Sequence, residues 1–129
     1  MSAEAKRVKI ITLLEIALGL VLLVFGVVIK TMGNPTAAPL VVAGEGLVTL
    51  FFGGRGALIA NVPARIGKLA TLAFIMLLVQ VACVVGAVMI IGPENVGNDP
   101  AQVAVACLPV PFTLAIALQS RGMAKRAER

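Results

Sequence analysis

The sequence predicts an all-α fold: an integral membrane four-helix bundle made of two tandem helical hairpins, with both termini in the cytoplasm. Three observations predict it. Of 129 residues, 60% are hydrophobic and 13% charged, against about 45–50% and about 25% in soluble domains. The mean hydropathy is +1.05. The apolar surplus falls into four blocks, each near the length that crosses a bilayer, and the basic residues gather at alternate ends of these blocks. A water-soluble domain would have to expose that surplus. No stretch is left over for one, so the chain reads as a single transmembrane domain, 1–129.

The spans are expected at about 10–29, 38–54, 69–91 and 101–118. Glu15 is the one charge in the first and Glu45 the one charge in the second; the third and fourth carry none. Hydrocarbon offers the backbone no hydrogen-bond partner, so each span must be a helix. The connectors 31–37 (TMGNPTA) and 92–100 (GPENVGNDP) are rich in turn residues and lack basic ones; the second holds Glu94 and Asp99. The opposite side collects Lys6, Arg7, Lys9, Arg55, Arg65, Lys68, Arg121, Lys125, Arg126 and Arg129, ten of the eleven basic residues. Lys30 is the exception, with a stem long enough to snorkel. Positive residues stay inside, which places both termini in the cytoplasm. The +5 charge is then a topology signal and an attraction to anionic inner-leaflet lipids, not a nucleic-acid footprint. The apolar block after 1–9 is too long for a cleaved signal.

An internal echo supports the hairpin reading. Ala5-Lys6-Arg7-Val8-Lys9-Ile10-Ile11-Thr12-Leu13 recurs 59 residues later as Ala64-Arg65-Ile66-Gly67-Lys68-Leu69-Ala70-Thr71-Leu72, and Arg55-Gly56-Ala57 as Arg121-Gly122-Met123. Two units, 5–57 and 64–123, would form a parallel repeat. Convergence would give a similar echo, because every cytoplasmic helix start favours basic residues.

Helix faces follow from spacing. Thr12, Glu15, Gly19, Leu22 and Gly26 alternate steps of three and four and share one stripe. Small residues let membrane helices approach closely, so Gly19 and Gly26 are expected at a helix contact. Gly44, Gly46, Gly53 and Gly54 suggest another on span two. Glu45 and Thr49 share a face, as do Gln80, Cys83 and Ala87, with Gly86 beside them. Pro109 and Pro111 should kink span four. Cys83 and Cys107 read as small hydrophobes.

Missing residue types exclude much chemistry. There is no His, Trp or Tyr, and there are two Cys. A Ser-His-Asp triad cannot be built, and neither can a His or closed thiolate metal site. No phosphate-binding glycine motif occurs. No metal, cofactor or enzymatic activity is expected. Glu15 and Glu45 remain the informative residues. A charged carboxylate in hydrocarbon costs a few kcal/mol or more, no basic residue sits inside a span, and the two lie at depths that let them meet across a hairpin. At least one, and Glu45 in particular, is expected to carry its proton at neutral pH. They can be a proton- or cation-binding site, or neutral acids bonded across helices to Thr12, Thr49 or a carbonyl, with Gln80 in support.

A glutamate in the first of four helices is similar to the small multidrug resistance transporters, but their aromatic site residues have no counterpart without Trp and Tyr. The segment Arg55-Gly56-Ala57 to Ala60-Asn61-Val62-Pro63-Ala64-Arg65 resembles the loop between spans two and three of small four-span proteins of actinobacteria. That resemblance implies a four-helix bundle in a bacterial cytoplasmic membrane and implies no activity. The apolar stretch 57–60 is expected to lie in the membrane interface. Two functions compete. The first is a non-catalytic protein that acts by helix packing with itself or with a membrane partner. The second is a small oligomeric transporter or channel built around Glu15 and Glu45. A water-lined pair of carboxylates favours transport; a sealed and hydrogen-bonded pair favours packing.

Overall fold

A computed structural model describes residues 3–98 and 100–127; Asp99 and Arg129 lie outside them. The helices are α1 (Ala3–Thr31), α2 (Ala38–Ala60), α3 (Ile66–Ile91), α4 (Pro100–Cys107) and α5 (Pro109–Ala127). α4 and α5 form one broken span, and all four resulting spans are long and apolar enough to cross a membrane. The helices run beyond the apolar blocks because the basic and polar residues at their ends continue the helical hydrogen bonding. Gly33 and Gly92, with φ of 95° and 93°, lie in the turns that end α1 and α3, where a side chain would be strained. In the turn between α1 and α2 the Lys30 Nζ donates to the Asn34 and Thr36 carbonyls, so its charge is spent on closing the hairpin.

The 57–60 stretch does not leave the bundle. α2 continues through Ala60, because Gly53 and Gly56 rest against Thr12 and Ile16 of α1, and that packing offsets the low helix propensity of glycine. The helix ends as Pro63 approaches, since proline disfavours helical geometry in the residue before it. A short 3₁₀ turn, Pro63–Arg65, then leads into α3.

The helices form a ring: α1 packs on α2 and α5, and α3 on α2 and on both pieces of the fourth span. α1 buries Ala5, Val8, Thr12, Glu15, Gly19, Leu22 and Gly26, a stripe with steps of three and four throughout. That period is the one of left-handed bundle packing. The α1–α2 contact is the closest. A Cβ on Gly46 would lie 2.6 Å from the Gly19 carbonyl oxygen, and one on Gly19 2.7 Å from the Gly46 carbonyl oxygen. Only two glycines permit this approach. Gly26 lies against Pro39 and Ala43, and Gly53 against Ile16 and the Thr12 carbonyl. Gly44, Gly54 and Gly86 have open space around their Cα atoms, so they are not part of this approach. At about 100° per residue, Gly44 points nearly opposite to Gly46, and Gly54 is turned well away from Gly53.

The buried apolar residues form two clusters. One, at the end that holds both termini, comprises Val8, Phe52, Ala60, Ile66, Leu69, Ala73, Met76, Ile116 and Ala117. The other, toward the opposite end, comprises Leu22, Val42 and Ala106. Between them lies a layer of buried polar side chains.

Candidate functional site

That polar layer is built from one residue on each span. Glu15 of α1, Thr49 of α2, Gln80 of α3 and Thr113 of α5 all have no exposed surface. The Thr113 hydroxyl lies 2.9 Å from Glu15 Oε2. Gln80 Nε2 donates to the Thr49 hydroxyl oxygen at 3.1 Å and makes a longer 3.5 Å contact with Glu15 Oε2. The chain Thr113–Glu15–Gln80–Thr49 therefore ties all four spans together and crosses the bundle diagonal from α1 to α3. Each residue arrives there by periodicity. Glu15 is midway between Val8 and Leu22 on the α1 stripe. Thr49 is one turn from Glu45, and Gln80 continues the α3 stripe Ile66, Leu69, Ala73, Met76.

Glu45 lies one turn from Thr49 and is 1% exposed. Among the described residues neither of its carboxyl oxygens has a hydrogen-bond partner, and Glu15 Oε1 and Gln80 Oε1 also have none. Four acceptor oxygens from α1, α2 and α3 thus stand unpaired in a sealed core. Buried polar groups are paired in the great majority of cases, so this surplus of acceptors is the unusual feature of the molecule. The hollows on the surface, between α3 and α5, beside Glu4 and Arg7, on α3 and on α1, do not reach either carboxylate.

Thr113 carries one proton and faces two acceptors, Glu15 Oε2 and the Pro109 carbonyl at 3.1 Å. Both contacts are satisfied together when Glu15 donates to Thr113 and Thr113 donates to Pro109. An ionised Glu15 would compete with Pro109 for the one hydroxyl proton. The fourth span breaks beside this residue. Pro109 and Pro111 have no N–H, so the Val105 carbonyl takes the Leu108 N–H at 3.1 Å instead, and the Cys107 carbonyl loses its helical donor. The expected kink is a full break at Leu108.

The sequence placed Glu15, Glu45, Thr49 and Gln80 on facing stripes, and the fold brings them into one layer. Thr12 does not join them. Its hydroxyl donates to the Lys9 carbonyl at 2.6 Å, a bond within one turn that threonine makes readily in helices, so it is no partner for either carboxylate. Thr49 meets Gln80 rather than a glutamate. Thr113 was the residue missed, although Gln102, Ala106, Pro109, Thr113, Ile116 and Ser120 alternate steps of four and three and are all buried. The loop residues sit apart from the layer: Arg55, Asn61 and Arg65 are exposed, Asn61 accepts from the Lys9 ammonium at 2.8 Å, and Gly56 fits against Thr12 and Leu69. Both cysteines are free. Among the described residues no three of His, Cys, Asp or Glu gather closely enough to hold a metal ion. No known family, curated protein or solved structure matches the chain.

Proposed function

We propose that this small membrane protein, built from four apolar spans, is a non-enzymatic transporter or channel whose polar layer binds protons or a small monovalent cation. The unpaired acceptor oxygens of Glu15, Glu45 and Gln80 carry the reading. Two carboxyl groups in a core without a basic side chain need two compensating positive charges, because an isolated buried carboxylate is very costly. Protons or a hard monovalent cation supply them and use the oxygens that the helices leave open. The break at Leu108 supports the same reading, since interrupted spans recur where membrane transporters hold ions. The seal then corresponds to an occluded state. Ten of eleven basic residues on one side support an orientation with both termini in the cytoplasm, and the likeness of the inner loop to actinobacterial proteins supports a bacterial cytoplasmic membrane.

The packing function is the second reading, and the seal around both carboxylates favours it. Proteoliposomes separate the two. With an imposed proton or sodium gradient and a potassium diffusion potential, the wild-type chain should give proton or sodium flux above empty vesicles. The double variant Glu15→Gln, Glu45→Gln should reduce it at least tenfold. Wild-type flux no greater than that of empty vesicles for both ions would remove the transport reading and leave the packing protein.

A further inference from the structure

We propose that the inner end of α3, with the facing turn of α5, is a binding site for one anionic phospholipid. A hollow of about 520 Å³ lies between these helices, lined by Gly67, Ala70, Thr71, Phe74, Arg121, Ala124 and Lys125. A second hollow shares Gly67 and Thr71 with it and is bordered by Lys68, Leu72 and Ile75. Among the described residues the joint surface has three cations and no acidic residue. Glu4 does not neutralise it, because Glu4 pairs with Arg126 in a separate hollow beside Arg7, Gln119 and Gly122. Among the described residues, Lys68, Arg121 and Lys125 have no carboxylate partner.

The order of chemistry along α3 is that of a phospholipid standing upright in a leaflet. The cations lie at the end of the span, level with headgroup phosphates. Phe74 and Ile75 lie six and seven residues beyond Lys68, roughly 10 Å deeper, where acyl chains begin. Gly67, Ala70 and Ala124 are small, and their lack of side-chain bulk makes the groove. A phosphate takes charge-assisted hydrogen bonds from Arg and Lys, and an acyl chain fills the apolar floor. Charge complementarity and depth together select an anionic lipid over a zwitterionic one.

The full chain, purified in mild detergent, can be titrated with phosphatidylglycerol or phosphatidylcholine and read by native mass spectrometry. Phosphatidylglycerol should bind at least tenfold more tightly. Arg121→Gln with Lys125→Gln should lower its affinity at least tenfold, whereas the charge-matched pair Arg55→Gln, Arg65→Gln should change it less than threefold. Gly67→Leu keeps every charge, and its Cβ meets only the Ala124 Cβ, at 3.9 Å, so the fold should persist while the filled groove loses lipid at least fivefold. Equal losses in the two charge pairs would show a diffuse field and overturn the site. So would an unaltered affinity in Gly67→Leu, or displacement of the lipid by millimolar inorganic phosphate, which would mean that the cations bind free phosphate.

Discussion

Replacing Glu45 by Met should make the bundle more stable and abolish the proposed proton or cation binding. The magnitude follows from the surroundings of Glu45. Its side chain is sealed in the core, and neither oxygen has a partner. A buried polar group without a hydrogen bond costs about 1–3 kcal/mol in proteins. Methionine is unbranched and of similar length, adapts to irregular space and removes that cost without opening a cavity. The expected gain is about 1–3 kcal/mol. Glu45→Gln keeps the shape and adds an amide that can donate to the open oxygens of Glu15 or Gln80, so its stability should stay within about 1 kcal/mol of wild type or rise. Against the Met variant, Glu45→Ala lacks the Cγ methylene, the sulfur and the terminal methyl, about 0.8 kcal/mol per methylene-sized group, plus a cavity term. It should therefore fall below the Met variant by about 2 kcal/mol or more. Denaturation in mixed micelles at fixed lipid composition measures the series, and infrared difference spectra against Glu45→Gln report the carboxyl band. A Met variant less stable than wild type by more than about 1 kcal/mol, with the Gln variant also destabilised, would mean that Glu45 has a partner that holds the bundle together, and the reasoning from unpaired oxygens would fail.

Three further outcomes follow from the same geometry. Gly46→Leu places a side chain where a Cβ alone would lie 2.6 Å from the Gly19 carbonyl oxygen and 2.8 Å from the Leu22 Cβ; α1 and α2 must separate, at a cost of about 1–3 kcal/mol or more, whereas Gly44→Leu, with open space around it, should leave unfolding in detergent unchanged. Thr113→Val removes the short contact to Glu15 Oε2 and should cost about 1–3 kcal/mol, with Thr113→Ser restoring most of it; equal stability of Val and wild type would show that the cross-bundle bond contributes nothing. In a chain with Cys83 and Cys107 replaced by Ala, a Cys at Asn61 should resist an impermeant maleimide added outside, and a Cys at Asn95 should react; the reverse pattern would invert the topology.

The α1 stripe was legible because its periodicity is unbroken and most of its members are small or polar among large aliphatics. A lipid-facing position would hold Leu or Val, so Thr12, Glu15, Gly19 and Gly26 announce a helix contact. The fourth span hid its share of the site for a physical reason. Thr113 lies between two prolines and an amphipathic end, and prolines interrupt helical hydrogen bonding, so residues on either side of them need not keep one stripe. Yet Gln102 and Thr113 keep register through Leu108, because the break substitutes a tighter turn without turning the following helix off the core. Hydrogen bonding was not legible. Thr12 and Thr49 lie on the right faces, but the partner of a hydroxyl depends on ångström-level placement. Thr12 has its own Lys9 carbonyl within reach at 2.6 Å, so a local bond takes the proton that the carboxylate was expected to share.

The position of the polar layer between two apolar clusters bears on what its hydrogen bonds hold together. Hydrocarbon supplies no hydrophobic drive to hold helices together, so packing and interhelical hydrogen bonds do that work. The α1–α2 pair is locked by backbone contact at Gly19 and Gly46 and can slide little. The contacts of the other spans to this pair run through larger side chains and through the Thr113–Glu15 and Gln80–Thr49 bonds. Both bonds end on the layer, and the protonation of Glu15 decides whether Thr113 can serve its two acceptors together. A change in the protonation of Glu15 therefore acts on the Thr113 bond that joins the broken fourth span to α1. On the proposed transport reading, the side chains that would take up the proton or cation are the ones that join α3 and the fourth span to the α1–α2 hairpin, so occupancy and helix contact would be coupled through differential binding to two states.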